Sequence, residues 1–152
     1  MVDVLYKPRV YTASKLDRHQ LWKTLRADPD WSFVEWTARW VYMAHLEEPG
    51  SNDPPTEEDF GNFWSMDLQD IKRSDFLLLY GREASGLRGA LIECGMAIAS
   101  NIRVIAVGLD PQHSWSYHSL VTRLPTLTDA RNYLYRYTVM VPPSRKRNPA
   151  DD

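Results

Sequence analysis

Two hydrophobic patterns alternate along the chain. A short continuous apolar run stands at 76–80 (FLLLY), as expected for a strand covered on both faces, and 9–13 (RVYTA) and 103–107 (RVIAV) also read as strands. Between them lie stretches whose apolar residues recur every three or four positions, the helical period. The first, roughly 16–27, carries Leu21, Trp22 and Leu25 on one side, with Ser14 or Asp17 as the expected cap and Asp28, Pro29 and Asp30 as the stop. Phe33, Val34 and Trp36 suggest a second strand near 32–36, and 37–48 reads as irregular or briefly helical. A proline-bearing loop spans 49–56. Thr56 followed by Glu57, Glu58 and Asp59 marks a helix start, because acids favour the first turn, and that helix runs to about Ser74. A strand at 75–80, a loop at 81–89 with three glycines, a helix at 89–100 and a strand at 103–107 follow. A polar-aromatic loop at 109–118 precedes a last helix capped by Thr126 or Thr128 and reaching about Tyr137. Strand–helix alternation predicts one α/β domain over 1–141, a flavodoxin- or Rossmann-like open parallel sheet with helices on both faces. The polar, proline-bearing tail 142–152 is expected to be disordered. Ligands of such sheets sit beyond the carboxyl ends of the strands, where the loops 11–14, 81–89 and 108–118 are expected to meet.

Two carboxylates break the apolar pattern at that edge. Glu93 is the one charged residue in GALIECGMAIAS. A lone acid in such a segment is expensive unless something pairs or uses it. The helix dipole in those first turns is expected to keep it ionised, which suits a nucleophile. Asp67 falls within the helical stripe of Phe60, Phe63, Trp64 and Ile71 and interrupts it. One acid in each of two helices flanking a buried strand suits chemistry at an anomeric carbon: one attacks, the other handles the leaving group's proton. Taken alone, either acid also reads as a structural or surface group.

The run Asp67, Leu68, Ile71, Asp75, then a strand, then Gly89, Glu93, Gly95 and Ala97 resembles the nucleoside 2-deoxyribosyltransferase superfamily, which includes the deoxynucleoside 5′-monophosphate N-glycosidases. The resemblance spans about 9–138 and is sharp over 64–108. It implies that Glu93 accepts the glycosyl group and that Asp67 contacts and protonates the base. Tyr11 matches a tyrosine that hydrogen-bonds the nucleophile, although it reads equally as a core residue. Ser14 matches a serine that helps bind the 5′-phosphate, although a plain helix cap is the simpler reading. The chain departs from the pattern six residues before Glu93, where the superfamily has a sugar-binding aspartate or a phosphate-binding serine and this chain has Leu87. Ser85, Arg88 and Gly89 lie near enough to take over substrate contacts, and Arg88 suits a phosphate or carboxylate. The first loop lacks the glycines of many relatives.

Composition narrows the partners. A net charge of −2 over 152 residues argues against a general nucleic-acid or membrane surface, and the RKR of the tail is too short to change that. No 18-residue apolar run or secretory h-region is present, and the single cysteine, Cys94, excludes an internal disulfide; a reducing, cytoplasmic setting fits. Cys94 itself reads as a buried small residue, and His113 and His118 as surface groups. No metal-ligand spacing, phosphate-loop motif or dinucleotide fingerprint occurs, so no cofactor is expected. The expected ligand is a small nucleoside or nucleotide, cleaved with transfer to a second base or to water. The alternative is a non-catalytic nucleotide or nucleotide-sugar binding module, and a ribosyl hydrolase is a third reading. The resemblance also implies a homodimer or higher homo-oligomer, with the loop 109–118 and the segment 36–45 as candidate contacts.

Overall fold

The computed structural model describes residues 6–43, 54–83 and 86–140. The predicted tail therefore lies outside the described residues. Five parallel strands form one open sheet: β1 (Arg9–Ala13), β2 (Glu35–Trp36), β3 (Phe76–Tyr80), β4 (Arg103–Val107) and β5 (Val121–Leu124), in the order β2-β1-β3-β4-β5. Among the described residues four α-helices accompany them: α1 (His19–Ala27), α2 (Glu57–Lys72), α3 (Arg88–Ala99) and α4 (Leu127–Met140). The strand order reverses between β1 and β3, the position at which open α/β sheets form ligand crevices.

The central strands are apolar because both faces are covered. Val10, Leu77, Leu78, Leu79, Val104 and Ile105 are fully buried. Register and pleat sort their side chains: Val10 pairs with Phe76 and Tyr11 with Leu77, so Tyr11 and Leu77 share one face and Val10 and Phe76 the other. Phe76 meets Tyr133 and Tyr137 of α4 edge-on, and Tyr80, on the same side, lies under Arg18 at the entry to α1. α1 and α4 thus cover that side. Tyr11 reaches α3 on the opposite side, which α2 and α3 cover together.

The start of α2 follows the sequence rule closely. Thr56 caps the backbone N–H of Asp59 at 3.1 Å, and the Asp59 carboxylate takes the Thr56 N–H at 2.8 Å, a complete capping box. Thr126 caps α4 in the same way, through the Asp129 N–H at 3.1 Å. The start of α1 differs from expectation. A 3₁₀ turn at Leu16–Arg18 precedes the helix, and neither Ser14 nor Asp17 caps it. Ser14 instead donates to the Lys15 carbonyl and accepts from Trp22 Nε1, each at 2.8 Å. Strand β5 falls in a stretch with no strand signal. It is a four-residue edge strand with every residue half-buried, so its pattern, VTRL, carries neither a continuous apolar run nor clear alternation. Among the described residues no helix is long and apolar enough to cross a membrane.

Candidate active site

α3 is apolar nearly all round and buries Ala90, Glu93, Cys94 and Ala97. Glu93 is only 7% exposed. The fully buried Tyr11, from the middle of β1, donates its hydroxyl to Glu93 Oε2. Asp67 approaches from α2, and its buried Oδ1 has no hydrogen-bond partner. Glu93 and Asp67 both line a cavity of about 440 Å³ beyond the carboxyl ends of β1 and β3. An orphaned buried acceptor costs on the order of 1–3 kcal/mol. On the wall of a cavity it is an acceptor for a donor that a ligand would bring.

Burial overrides the helix dipole. Removal from water pushes the Glu93 carboxyl up to about 8, the nearby Asp67 adding to this and the Tyr11 hydroxyl opposing it. Asp67 is raised to about 6, chiefly by burial and then by Asp70, with Tyr11 and Arg39 opposing. Burial thus opposes the expectation of a readily ionised Glu93: both carboxyls are pushed above their ordinary values, Glu93 the further. The dipole contributes only a fraction of a charge at the helix end and fades within its first turn. Glu93 is the sixth residue of α3, beyond that turn.

The rest of the lining has two characters. Trp40, Met43, Phe60, Phe63 and Trp64 are aromatic or apolar, while Ser14, Lys15, Asp17 and Arg88 are polar or charged, with Lys15 3.8 Å from the Asp17 carboxylate. Trp40 is fixed by donating Nε1 to the Thr12 carbonyl at 2.7 Å. The turn that carries it is held by the fully buried Asp70, which accepts from the Arg39 N–H at 3.0 Å and pairs with the Arg39 guanidinium at 2.9 Å. Gly86 sits at φ +87° against Lys15; a Cβ there would lie 2.8 Å from Lys15 Cε. Glycine lets the two loops close at this point. Arg18 and Glu83, joined at 2.5 Å, tie the same loops on the outside.

The structure thus brings Glu93, Asp67, Ser14, Arg88 and Gly89 to one cavity, with Tyr11 behind Glu93. Ser85 lies outside the described residues. Leu87, at the departure from the superfamily pattern, is buried core. Asp75 is structural, its Oδ2 accepting from the Arg9 N–H at 2.8 Å and from the Tyr6 hydroxyl. The expected third loop does not border this cavity; Gly108 and Leu109 line a different one. Trp40 and Met43 take its place, from a segment whose mixed periodicity concealed them, and Lys15 went unremarked beside Ser14. His113 and His118 bind local groups, Trp115 Nε1 at 3.3 Å and the Leu120 N–H at 3.0 Å. Cys94 is buried as expected. Among the described residues no group of three metal-ligating side chains gathers.

No known family profile matches the chain, and no curated protein matches it either. Solved structures do share its fold. A conserved protein from Enterococcus faecalis V583 matches with a TM-score of 0.57 at 12% identity, over 86% of this chain and 99% of that one. The CMP N-glycosidase BcmB of Clostridium botulinum matches with a TM-score of 0.50 at 18% identity, over 86% of this chain and 98% of that one.

Proposed function

We propose that this protein cleaves the N-glycosidic bond of a nucleoside 5′-monophosphate through a glycosyl-enzyme. The observation that carries this reading is the Glu93–Tyr11–Asp67 arrangement on the wall of a cavity large enough for a nucleotide. A structural neighbour named as a CMP N-glycosidase agrees with it. In the reaction, a proton held by the pair passes from Glu93 to Asp67. Glu93 then attacks the anomeric carbon while Asp67 protonates the departing base, and the Tyr11 hydroxyl steadies the attacking carboxylate. Water or a second base resolves the intermediate. The aromatic wall of Trp40, Phe60, Phe63 and Trp64 offers stacking faces for the base.

Lys15 and Arg88, with Ser14, outnumber the exposed Asp17 that pairs with Lys15, and this favours a monophosphate over a free nucleoside. Base release from a chromatographic panel of ribo- and deoxyribonucleosides and their monophosphates, with and without adenine or cytosine as acceptor, tests the reading. Turnover is expected for at least one monophosphate, and acceptor dependence separates transfer from hydrolysis. Lys15→Gln with Arg88→Gln is expected to raise KM for the monophosphate at least ~10-fold while leaving any nucleoside activity in place. Equal loss for both substrate types would refute a phosphate role. Tight nucleotide binding with no base release from any substrate would establish the binding-module reading instead.

We also infer that two copies associate over the α2–α3 face. Phe60 and Trp64, on the cavity rim, are 52% and 37% exposed, and Ile92, beside Glu93 on α3, is 54% exposed. A second copy would cover these side chains and finish the open aromatic wall. Light scattering at micromolar concentration is expected to give a dimer that Ile92→Glu dissociates. A monomeric wild type would sink this inference.

A further inference from the structure

A second cavity, of about 420 Å³, opens beyond the carboxyl ends of β4 and β5 and shares no residue with the first. Its wall contains two arginines, Arg82 after β3 and Arg123 within β5, and no acid. Both guanidiniums are positioned by backbone. Arg82 Nη2 donates to the Pro125 carbonyl at 3.1 Å, and Arg123 Nη2 to the Leu109 carbonyl at 3.2 Å. Arg123 also lies over the Tyr117 ring, 4.7 Å from its centroid. Gly108, at φ +66°, leaves room for Arg82: a Cβ there would lie 3.1 Å from Arg82 Cβ and Nε. Two acids adjoin the lining residues in sequence: Glu83, next to Arg82, is engaged by Arg18 at 2.5 Å, and Asp110, next to Leu109, turns its Oδ1 back to the Gln112 N–H at 2.8 Å.

A guanidinium carries five N–H donors, and each carbonyl contact engages only one. Among the described residues, neither arginine has a carboxylate partner. Two like charges around one cavity repel each other unless an anion lies between them. Planar forks of this kind match the oxygens of a phosphoryl group. The volume falls within the range of small-molecule sites, about 300–1,000 Å³.

We propose that this cavity is a second binding site, specific for the phosphoryl group of a small ligand and separate from the site of bond cleavage. The ligand is either inorganic phosphate or a small phosphate monoester. Arg82, after β3, lines this cavity, while Gly86 and, at the start of α3, Arg88 and Gly89 line the first.

Calorimetric titration of the full chain with inorganic phosphate and with glycerol 3-phosphate tests the proposal. Both are expected to bind saturably, and Arg82→Gln with Arg123→Gln is expected to weaken binding at least ~10-fold. Arg88→Gln, which removes a phosphate contact proposed for the first cavity, is expected to leave the binding event that Arg82→Gln weakens; any event it removes belongs to the first cavity. Tighter binding of glycerol 3-phosphate assigns the site to a phosphate ester, and equal or weaker binding assigns it to free phosphate. Arg82→Gln alone keeps the Arg123–Tyr117 contact and so guards against loss of folding; it is expected to weaken binding several-fold on its own. Absence of saturable binding, or binding that Arg88→Gln removes and Arg82→Gln spares, would overturn the proposal.

Discussion

Glu93→Gln is expected to lower the rate of base release by at least ~10³ while leaving the fold intact. Glutamine has the same shape and keeps an acceptor for the Tyr11 hydroxyl, so the cavity wall is preserved. In the proposed mechanism it removes the oxygen nucleophile, and with it the covalent step that divides a difficult displacement into two easier ones. The readout is free base by chromatography, on the monophosphate that wild type turns over fastest, with nucleotide affinity measured alongside. Retained affinity with lost turnover assigns Glu93 to the chemical step. A variant that turns over within tenfold of wild type would remove Glu93 from the nucleophile's role. Asp67→Asn gives a complementary outcome: base departure slows, by ~10²–10⁴ for a lost general acid, while substrates carrying a better leaving group are partly spared.

The second large effect is on stability. Glu93 has its ordinary carboxyl pKa near 4.5 when unfolded and about 8 when folded. Between those values the folded protein binds a proton that the unfolded chain has released. Stability is therefore fully present below pH 4.5, falls as pH rises through the window, and levels off above pH 8. Each unit of difference corresponds to about 1.4 kcal/mol, so the loss across the window is on the order of several kcal/mol. Asp67, shifted from 3.8 to about 6, adds a smaller loss of the same sign at the acidic end; its partial exposure tempers it. Thermal melts from pH 5 to 8 are expected to show a falling Tm for wild type. The slope should flatten in Glu93→Gln, which has no proton to lose, and the variant should melt higher than wild type at pH 8. Parallel slopes for the two proteins would show that Glu93 is solvated and ionised in the fold. Together the two expectations describe one trade: a carboxylate buried for the proposed chemistry is expected to destabilise the fold that holds it.

The strands β1, β3 and β4 were legible because each is a five-residue segment rich in apolar residues, β3 continuously so, and a strand covered on both faces has little freedom to be anything else. The capping box at Thr56 was legible because its hydrogen bonds join residues three apart. Glu93 and Asp67 stood out as acids inside apolar patterns, and both lie on the cavity wall. Local chemistry misled where long-range partners intervened. Ser14 has the composition of a cap, but the indole of Trp22 claims its hydroxyl. Strand β5 is held by pairing with β4 rather than by any preference of VTRL itself.

The sequence by itself therefore determined the α/β alternation, the apolar centre of the sheet and the identity of the two acids, since each follows from residue type and spacing along the chain. Only the tertiary structure decided the rest. It brought Trp40 and Met43 from a segment of mixed pattern to the site, and it sent Gly108 and Leu109 to a separate, arginine-lined cavity. It also pushed the Glu93 carboxyl upward, because the cost of burying a charge depends on how much water the whole fold excludes, a quantity that no local stretch of residues encodes.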